Sequence, residues 1–321
     1  MSTIANILRP YAITDLNLVK EVTKTSFKEW VIKYPQVLDT YIAEDKEYIF
    51  YINDTENCLK SVAFDISRMS IAAFETIHAI SSSNELINST AWPLIRSYYA
   101  AFFAAHTIMR IFGYAVIQLE SQQIAKLNLA LNFCNPPPPA SAKIGEGLHL
   151  VKFNLERRVF TLSKLNNGSH EDTWQVLANV LDMISRKMLT DQNPISNQLK
   201  QVAYEQLQQL ISIMRTFPCQ SRSNWLSRIR NEINYQHKYG TWFPHEKAKG
   251  FKNNIFDNIK NWKKEPNILV HDTTHPLDKF SKACVFLISL SKEMICDIDK
   301  RNPDNRSFLK NSVVKVINFK E

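Results

Sequence analysis

The sequence has 321 residues, of which 45% are hydrophobic and 22% charged, so it can bury a sizeable core and is not disordered. Only 6 residues are glycine, and neither G-x-G-x-x-G nor G-x-x-x-x-G-K-[ST] occurs, which argues against Rossmann and Walker nucleotide sites and against hairpin-rich β folds. The net charge is +8, and residues 218–321 account for all of it, with 19 basic and 11 acidic residues. This balance favours an anionic partner, although solvated surface lysines alone would produce it too.

The first 60 residues are predicted to be a mixed α/β segment. Residues 27–31 have a helical pattern, whereas residues 48–52 are a short aromatic and β-branched run that fits a strand or a buried helix. From Val62 onward, apolar residues recur at three- and four-residue steps, which indicates helix. We therefore predict a division near residue 60, followed by a helical domain over residues 61–321.

The strongest helix prediction spans residues 89–112. Ser89 or Thr90 can cap its start, and Gly113 supplies its end. Because this segment is apolar around much of its circumference, it is predicted to lie at the centre of a helical bundle. Further predictions are helices over residues 172–189, 196–216, 223–238, 250–263 and 277–298, and a strand over residues 313–317 that would pair with residues 48–52.

Cysteine usage and apolar runs point to a reduced, cytoplasmic protein. The five cysteines form no C-x-x-C pair, the N-terminus has no secretory pattern, and no stretch of about 18 apolar residues occurs. We therefore expect no membrane association. His271 and His275 flank Asp272, but Pro276 follows directly, so this segment is predicted to be a loop and helix cap rather than a metal site. No metal and no cofactor are expected.

The basic third of the chain contains a helical segment with side chains suited to phosphate chemistry. Positions seven apart on a helix lie about 20° from alignment, so Arg230 and His237 would share a face, with Asn234 between them. A guanidinium can bind a phosphodiester, and an imidazole can take a proton from a ribose 2′-hydroxyl or return one to the leaving oxygen. The pattern therefore indicates metal-independent RNA cleavage, with an ordinary surface pair as the alternative.

This segment resembles the Arg-x(4–6)-His motif of the HEPN-domain ribonucleases, which occur in prokaryotic toxin–antitoxin and phage-defence systems. Asn231 is the polar residue that usually follows the arginine in that family, and the sequence His237-Lys238-Tyr239 matches the His-x-Tyr of some members. The predicted helix that contains Tyr98-Tyr99-Ala100 is also similar to a Tyr-Tyr-Ala-x-Phe core helix of many HEPN sequences.

The resemblance implies a mainly α fold, a HEPN-like antiparallel helical bundle with extra helices and an insertion around residues 114–195. It also implies that Arg230 binds and polarises the scissile phosphate, that His237 is the general base or acid, and that Asn231 orients the pair or the substrate. Family members commonly form homodimers in which two such motifs face each other. The products would carry 2′,3′-cyclic phosphate ends.

The remaining candidates follow from the same segment. Arg228, Asn234 and Lys238 are expected to contact RNA, and Tyr239 resembles a tyrosine that partner nucleotidyltransferase antitoxins modify in some toxin pairs. The sequence therefore predicts an endoribonuclease that acts as a toxin or as an anti-phage abortive-infection effector, with RNA as substrate and an antitoxin or defence protein as partner. The alternative is a non-catalytic HEPN-like module that binds RNA or a partner protein as a regulator.

Overall fold

A computed structural model describes residues 3–81, 89–134, 138–139, 141–192, 194–243, 249–268 and 275–319. Within this part of the chain the protein is mainly α, as the composition predicts, with eleven α-helices and five strands. The helices are α1 (Thr3–Leu8), α2 (Phe27–Lys33), α3 (Thr55–Ser81), α4 (Ala91–Ile111), α5 (Ser121–Leu131), α6 (Ser169–Thr190), α7 (Asn197–Met214), α8 (Trp225–Gln236), α9 (Lys249–Lys260), α10 (Pro276–Lys300) and α11 (Val313–Ile317). The strands are β1 (Val37–Ile42), β2 (Glu47–Tyr51), β3 (Tyr114–Leu119), β4 (Gly147–Asn154) and β5 (Val159–Lys164).

Helix α4 is the central element of the larger core, which confirms the place predicted for it. Helices α3, α6, α8 and α10 all contact it. Its alanines let these neighbours approach closely, and Ala101, Ala104 and Ala105 are fully buried. One end of α4 is tied to the loop after α8, because the Ser89 hydroxyl donates to the Thr241 carbonyl at 2.6 Å. The packing of α4 therefore fixes where α6 and α8 present their side chains.

The five strands form one antiparallel sheet in the order β1-β2-β5-β4-β3. A second, smaller core covers it, in which Phe50 of β2 lies opposite Phe160 of β5 with the ring centres 5.1 Å apart. Phe27 and Trp30 of α2 pack on the same cluster. The sheet thus crosses the division predicted near residue 60, since β2 pairs with β5, which lies in the region expected to be an insertion.

The prediction of a strand over residues 313–317 is wrong. These residues form the short helix α11, which packs on α3 and α10, and β2 pairs with β1 and β5 instead. Val313 and Ile317 lie four positions apart and are both buried, so one helical turn places them on the same face against the bundle. A β-branched run of five residues is compatible with either structure until its packing partners are known.

No helix in the described ranges is both long and apolar enough to span a bilayer. The four consecutive prolines at residues 136–139 fall partly outside the described residues. So does most of the segment from His271 to His275, although His275 itself is described. Its Nδ1 accepts a hydrogen bond from the backbone N–H of Leu277 at 3.3 Å, which confirms the cap predicted at the start of α10.

Candidate functional site

Arg230 is a buried cation with no acidic partner among the residues that the structure describes. Its residue surface is only 6% exposed, and its guanidinium carbon lies 5.0 Å from the centre of the Tyr98 ring and 5.6 Å from that of Tyr99. Among the described residues no carboxylate forms an ion pair with it, and its Nε atom has no hydrogen-bond partner. The two ring faces attract the cation but do not neutralise it. Arg230 is therefore held in a position where an incoming anion would be stabilised.

The amphipathic pattern of α8 places Arg230 there. Leu226, Ile229 and Ile233 form the buried stripe of α8, which packs on α4 and α10. Arg230 follows Ile229 at the edge of this stripe, so the packing of α8 directs its side chain onto the tyrosines of α4.

The hydroxyl of Tyr98 connects Arg230 to an imidazole that the sequence did not single out. It lies 2.8 Å from Nδ1 of His170 and accepts a hydrogen bond of 3.0 Å from Nε1 of Trp174. Ser227 of α8 is also within hydrogen-bonding reach of it. Burial raises the pKa of Tyr98, so the phenol stays protonated near neutral pH. Helices α4, α6 and α8 therefore meet at this one hydroxyl.

Two imidazoles flank the ring of Phe102 beside this hydroxyl. The ring centre of Phe102 lies 4.4 Å from that of His170 and 4.8 Å from that of His106. Burial, and then the charge of Arg230, lower the pKa of His170 from its ordinary 6.5 to about 4. Burial and the neighbouring Arg110 hold the pKa of His106 well below 6.5. Both imidazoles are therefore uncharged at neutral pH, which leaves Arg230 as the cation of the site.

His237 does not continue α8, so the helix predicted to reach Lys238 is too long. The helix ends at Gln236, and His237 has a left-handed backbone with φ 50° while its N–H donates to the Glu232 carbonyl. Its exposed imidazole packs on Trp242 with ring centres 5.4 Å apart. The indole N–H of Trp242 donates to the Ile233 carbonyl at 2.7 Å, so it occupies one of the free carbonyls at the helix end. Arg230 and His237 therefore have different neighbours: Arg230 packs on Tyr98 and Tyr99, whereas His237 packs on Trp242.

Three residues predicted to contact RNA or to be modified are joined to one carboxylate. Glu232 accepts from Arg228 at 2.6 Å, from Lys238 at 3.3 Å, and from the hydroxyl of Tyr239. Burial alone would raise the pKa of Glu232, but the hydrogen bonds and charges of these partners outweigh it and lower the pKa. Burial and the Glu232 contact raise the pKa of Tyr239. Arg228 and Lys238 therefore share the single negative charge of Glu232.

The two asparagines of the segment remain near Arg230. Asn231 and Asn234 both lie within α8 and are half-buried. Asn234 is one turn beyond Arg230, so it shares the face that the sequence predicted for it. Its amide is free to contact a ligand that reaches along the helix toward Gln236.

The cavities found on the described surface lie away from Arg230. Cavities of about 390 to 540 Å³ are found elsewhere on the described surface, and none of them is lined by Arg230 or His170. No group of three or more histidine, cysteine, aspartate or glutamate side chains suited to a metal occurs among the described residues.

His170 was missed because its partners are distant in sequence. The predicted helix over residues 172–189 begins three positions after the observed start of α6 at Ser169, which left His170 in a loop. Gly168, with φ 97°, precedes this start and is the signal that could have moved the boundary. The contact with Tyr98 arises only from the packing of α6 on α4.

No family model matches the chain, and no similar protein was found among the curated proteins or the solved structures.

Proposed function

We propose that the protein is a metal-independent endoribonuclease that binds the RNA phosphodiester at Arg230. The observation that carries this proposal is the buried guanidinium, which has two tyrosine faces around it and no carboxylate partner among the described residues. Keeping a buried cation without an acid is costly unless a ligand supplies the counter-charge. A phosphodiester has the charge and the geometry that a guanidinium binds best.

The surroundings of Arg230 suit an RNA strand. Trp92, Tyr235 and Phe243, which are 50%, 71% and 63% exposed, lie at the start of α4 and around the end of α8, where bases can stack on them. The net charge of residues 218–321 would draw a polyanion to this side of the chain. Arg230 would stabilise the charge that develops on the phosphate, and Asn231 and Asn234 would position the strand.

Proton transfer is assigned to His237, on the strength of the HEPN resemblance and of its exposed imidazole. The base removes the proton of the ribose 2′-hydroxyl, the 2′-oxygen attacks phosphorus, and the bond to the 5′-oxygen breaks. The leaving oxygen then takes a proton from the acid, so the products are a 2′,3′-cyclic phosphate and a 5′-hydroxyl. These steps need positioned donors and a base but no metal.

The same resemblance supports a biological role. We propose a homodimeric toxin or anti-phage effector that acts on cytoplasmic RNA and is restrained by an antitoxin or another defence protein. Modification of Tyr239 by a nucleotidyltransferase partner would remove its hydroxyl from Glu232 and so disturb the residues that end α8. This gives the proposed modification a route to the RNA-binding helix.

A non-catalytic module that binds RNA or a partner protein is the second candidate. It is favoured by the packing of the His237 ring on Trp242, while the contacts of Arg230 are with Tyr98 and Tyr99. In such a module Arg230 would still bind phosphate, but no imidazole would act on the 2′-hydroxyl. RNA affinity would then persist without cleavage.

The test is RNA cleavage in the presence of EDTA. Purified wild-type protein, Arg230→Ala, His237→Ala and the control Arg186→Ala are incubated with total RNA, and the product ends are analysed. Arg186 is exposed and paired with Asp182 on α6, so its substitution removes a charge without touching the site. We expect cyclic phosphate ends from the wild type and from Arg186→Ala only. Full cleavage by Arg230→Ala, or none by correctly folded wild type, would reject the enzyme.

A further inference from the structure

His170 lies at the start of a long helix, next to the buried cation. It is the second residue of the 22-residue helix α6, and its ring packs on Phe102 and on Tyr98, with the ring centre of Tyr98 5.6 Å away. Its position is fixed by the 2.8 Å contact between Nδ1 and the Tyr98 hydroxyl. Its other nitrogen, Nε2, has no hydrogen-bond partner among the described residues. The start of α6 also adds a partial positive charge from its free N–H groups.

The hydrogen bonds around Tyr98 indicate which nitrogen of His170 is free. The Tyr98 oxygen accepts from Trp174 and lies 2.8 Å from Nδ1 of His170, and Ser227 and Arg230 are also within hydrogen-bonding reach of it. Whichever of Tyr98 and Nδ1 supplies the hydrogen of their contact, Nδ1 is engaged, and Nε2 is the nitrogen left to contact a ligand. Once the imidazole is protonated, its Nε2–H can therefore donate to an anion.

The charged groups around His170 are out of balance. Arg230 faces it from α8, and His106 lies beyond Phe102 on α4. On its own helix, Glu171 is paired with Arg222 at 3.3 Å, and the carboxylate of Asp172 accepts two hydrogen bonds from Asn167. Both acids are thus already engaged, whereas Arg230 is not. An anion that contacts Arg230 and Nε2 together would balance these charges.

We propose that His170 and Arg230 bind one phosphate group together, and that the binding of this phosphate protonates the imidazole of His170. The bound anion offsets the charge of Arg230, and the imidazolium then donates to a phosphate oxygen. The identification of this phosphate as part of RNA rests on the function proposed above. The joint binding of phosphate by Arg230 and His170 does not depend on that function. His170 is thus a second residue of the phosphate site, drawn from a helix that the Arg-x(4–6)-His motif does not include.

Sulfate is the probe, because it stays doubly charged over the pH range used. Burial and Arg230 hold the pKa of free His170 at about 4, and a bound anion should raise it to about 6 or above. A shift of this size makes sulfate binding about tenfold tighter at pH 5 than at pH 7.5. NMR titration of the His170 ring with and without sulfate measures the shift, and calorimetry measures the affinity.

The variants separate the two residues. We expect His170→Asn to bind sulfate with the same affinity at both pH values, Arg230→Gln to lose binding, and Arg186→Gln to behave like the wild type. An unchanged His170 pKa in saturating sulfate, or no sulfate binding by wild type at pH 5, would overturn the inference. Thermal unfolding of each variant confirms that it is folded.

The inference and the proposed function can fail separately. Sulfate binding that depends on Arg230 and on pH, without cleavage of any RNA, would uphold the joint binding of phosphate and remove the ribonuclease. Cleavage that depends on Arg230, with a His170 pKa unaffected by sulfate, would uphold the ribonuclease and remove the role of His170.

Discussion

At the scale of single residues, the contrast between Glu232 and Arg230 locates the site. Glu232 is buried and receives three donors from its own segment, so its charge is fully compensated. Arg230 lies two positions before it and has aromatic faces but no acid. A helix with only a structural role would be more stable if the charge of Arg230 were paired as well as that of Glu232. We therefore place the ligand at Arg230.

The compensation at Glu232 predicts a specific loss of stability. Glu232→Gln keeps the shape but removes the charge that three donors share, so we expect the free energy of unfolding to fall by about 1–3 kcal/mol. Urea denaturation measures it. Glu75→Gln on the exposed face of α3 is the matched control and should change stability by less than about 0.5 kcal/mol. Equal effects of the two substitutions would mean that the cluster does not hold the end of α8.

His106 predicts a dependence of stability on pH. Its pKa in the folded protein lies well below 6.5 because of burial and Arg110, so the unfolded chain binds the proton more readily. Its contribution is therefore complete above about pH 6.5 and is lost as the pH falls below that value, with a slope of up to about 1.4 kcal/mol per pH unit. We expect His106→Gln to flatten the stability curve between pH 7.5 and 5.5. A curve as steep as that of the wild type would contradict this origin.

At the scale of elements, the end of α8 shows what the sequence pattern could and could not predict. The helix around Arg230 follows from local spacing and is confirmed, whereas the helical face that Arg230 was predicted to share with His237 ends before His237. The stop at Gln236 does not follow from local spacing, because it depends on left-handed backbone at His237 and Tyr239 and on the indole of Trp242 reaching the Ile233 carbonyl. The helix was predicted to reach Lys238, two residues beyond this stop.

The left-handed backbone of His237 predicts that substitution by glycine leaves the protein more stable than substitution by alanine. Glycine adopts φ 50° without the cost that a Cβ imposes, so His237→Gly should unfold with about 1 kcal/mol more free energy than His237→Ala. Chemical denaturation of the two variants measures the difference. If glycine proves no more stable than alanine, the helix does not end in this conformation in solution. Both variants lack the imidazole, so both should lose RNA cleavage if His237 transfers the proton.

At the scale of the whole molecule, the protein has two hydrophobic cores, one built from local helical patterns and one built from strands that are distant in sequence. The larger core consists of helices whose apolar periodicity is local, so α4, α6, α7 and α10 were predictable within a few residues. The sheet was not, because β2 pairs with β5 more than 100 residues away, with Tyr48 opposite Leu162. The role of His170 was not predicted for the same reason, since only the packing of α6 on α4 brings it to Arg230. Local patterns thus predicted one half of the site, and tertiary contacts supply the other.

The smaller core predicts a large effect at its aromatic centre. Phe160 is 1% exposed and stacks on Phe50, so Phe160→Ala should lower the free energy of unfolding by about 3–5 kcal/mol. Phe133, which is 80% exposed, supplies the control, since Phe133→Ala should change it by less than about 0.5 kcal/mol. Urea denaturation distinguishes the two, and a small effect at Phe160 would show that the sheet contributes little to folding.

The central claim is that the unpaired guanidinium of Arg230 binds a backbone phosphate of RNA. Its most direct test is the affinity of a single-stranded 2′-O-methyl RNA, which cannot be cleaved, for wild type, Arg230→Gln and the charge-matched Arg186→Gln at fixed salt. We predict that Arg230→Gln weakens binding about tenfold or more while Arg186→Gln stays within about twofold of wild type. Equal affinity of the two variants would contradict the claim.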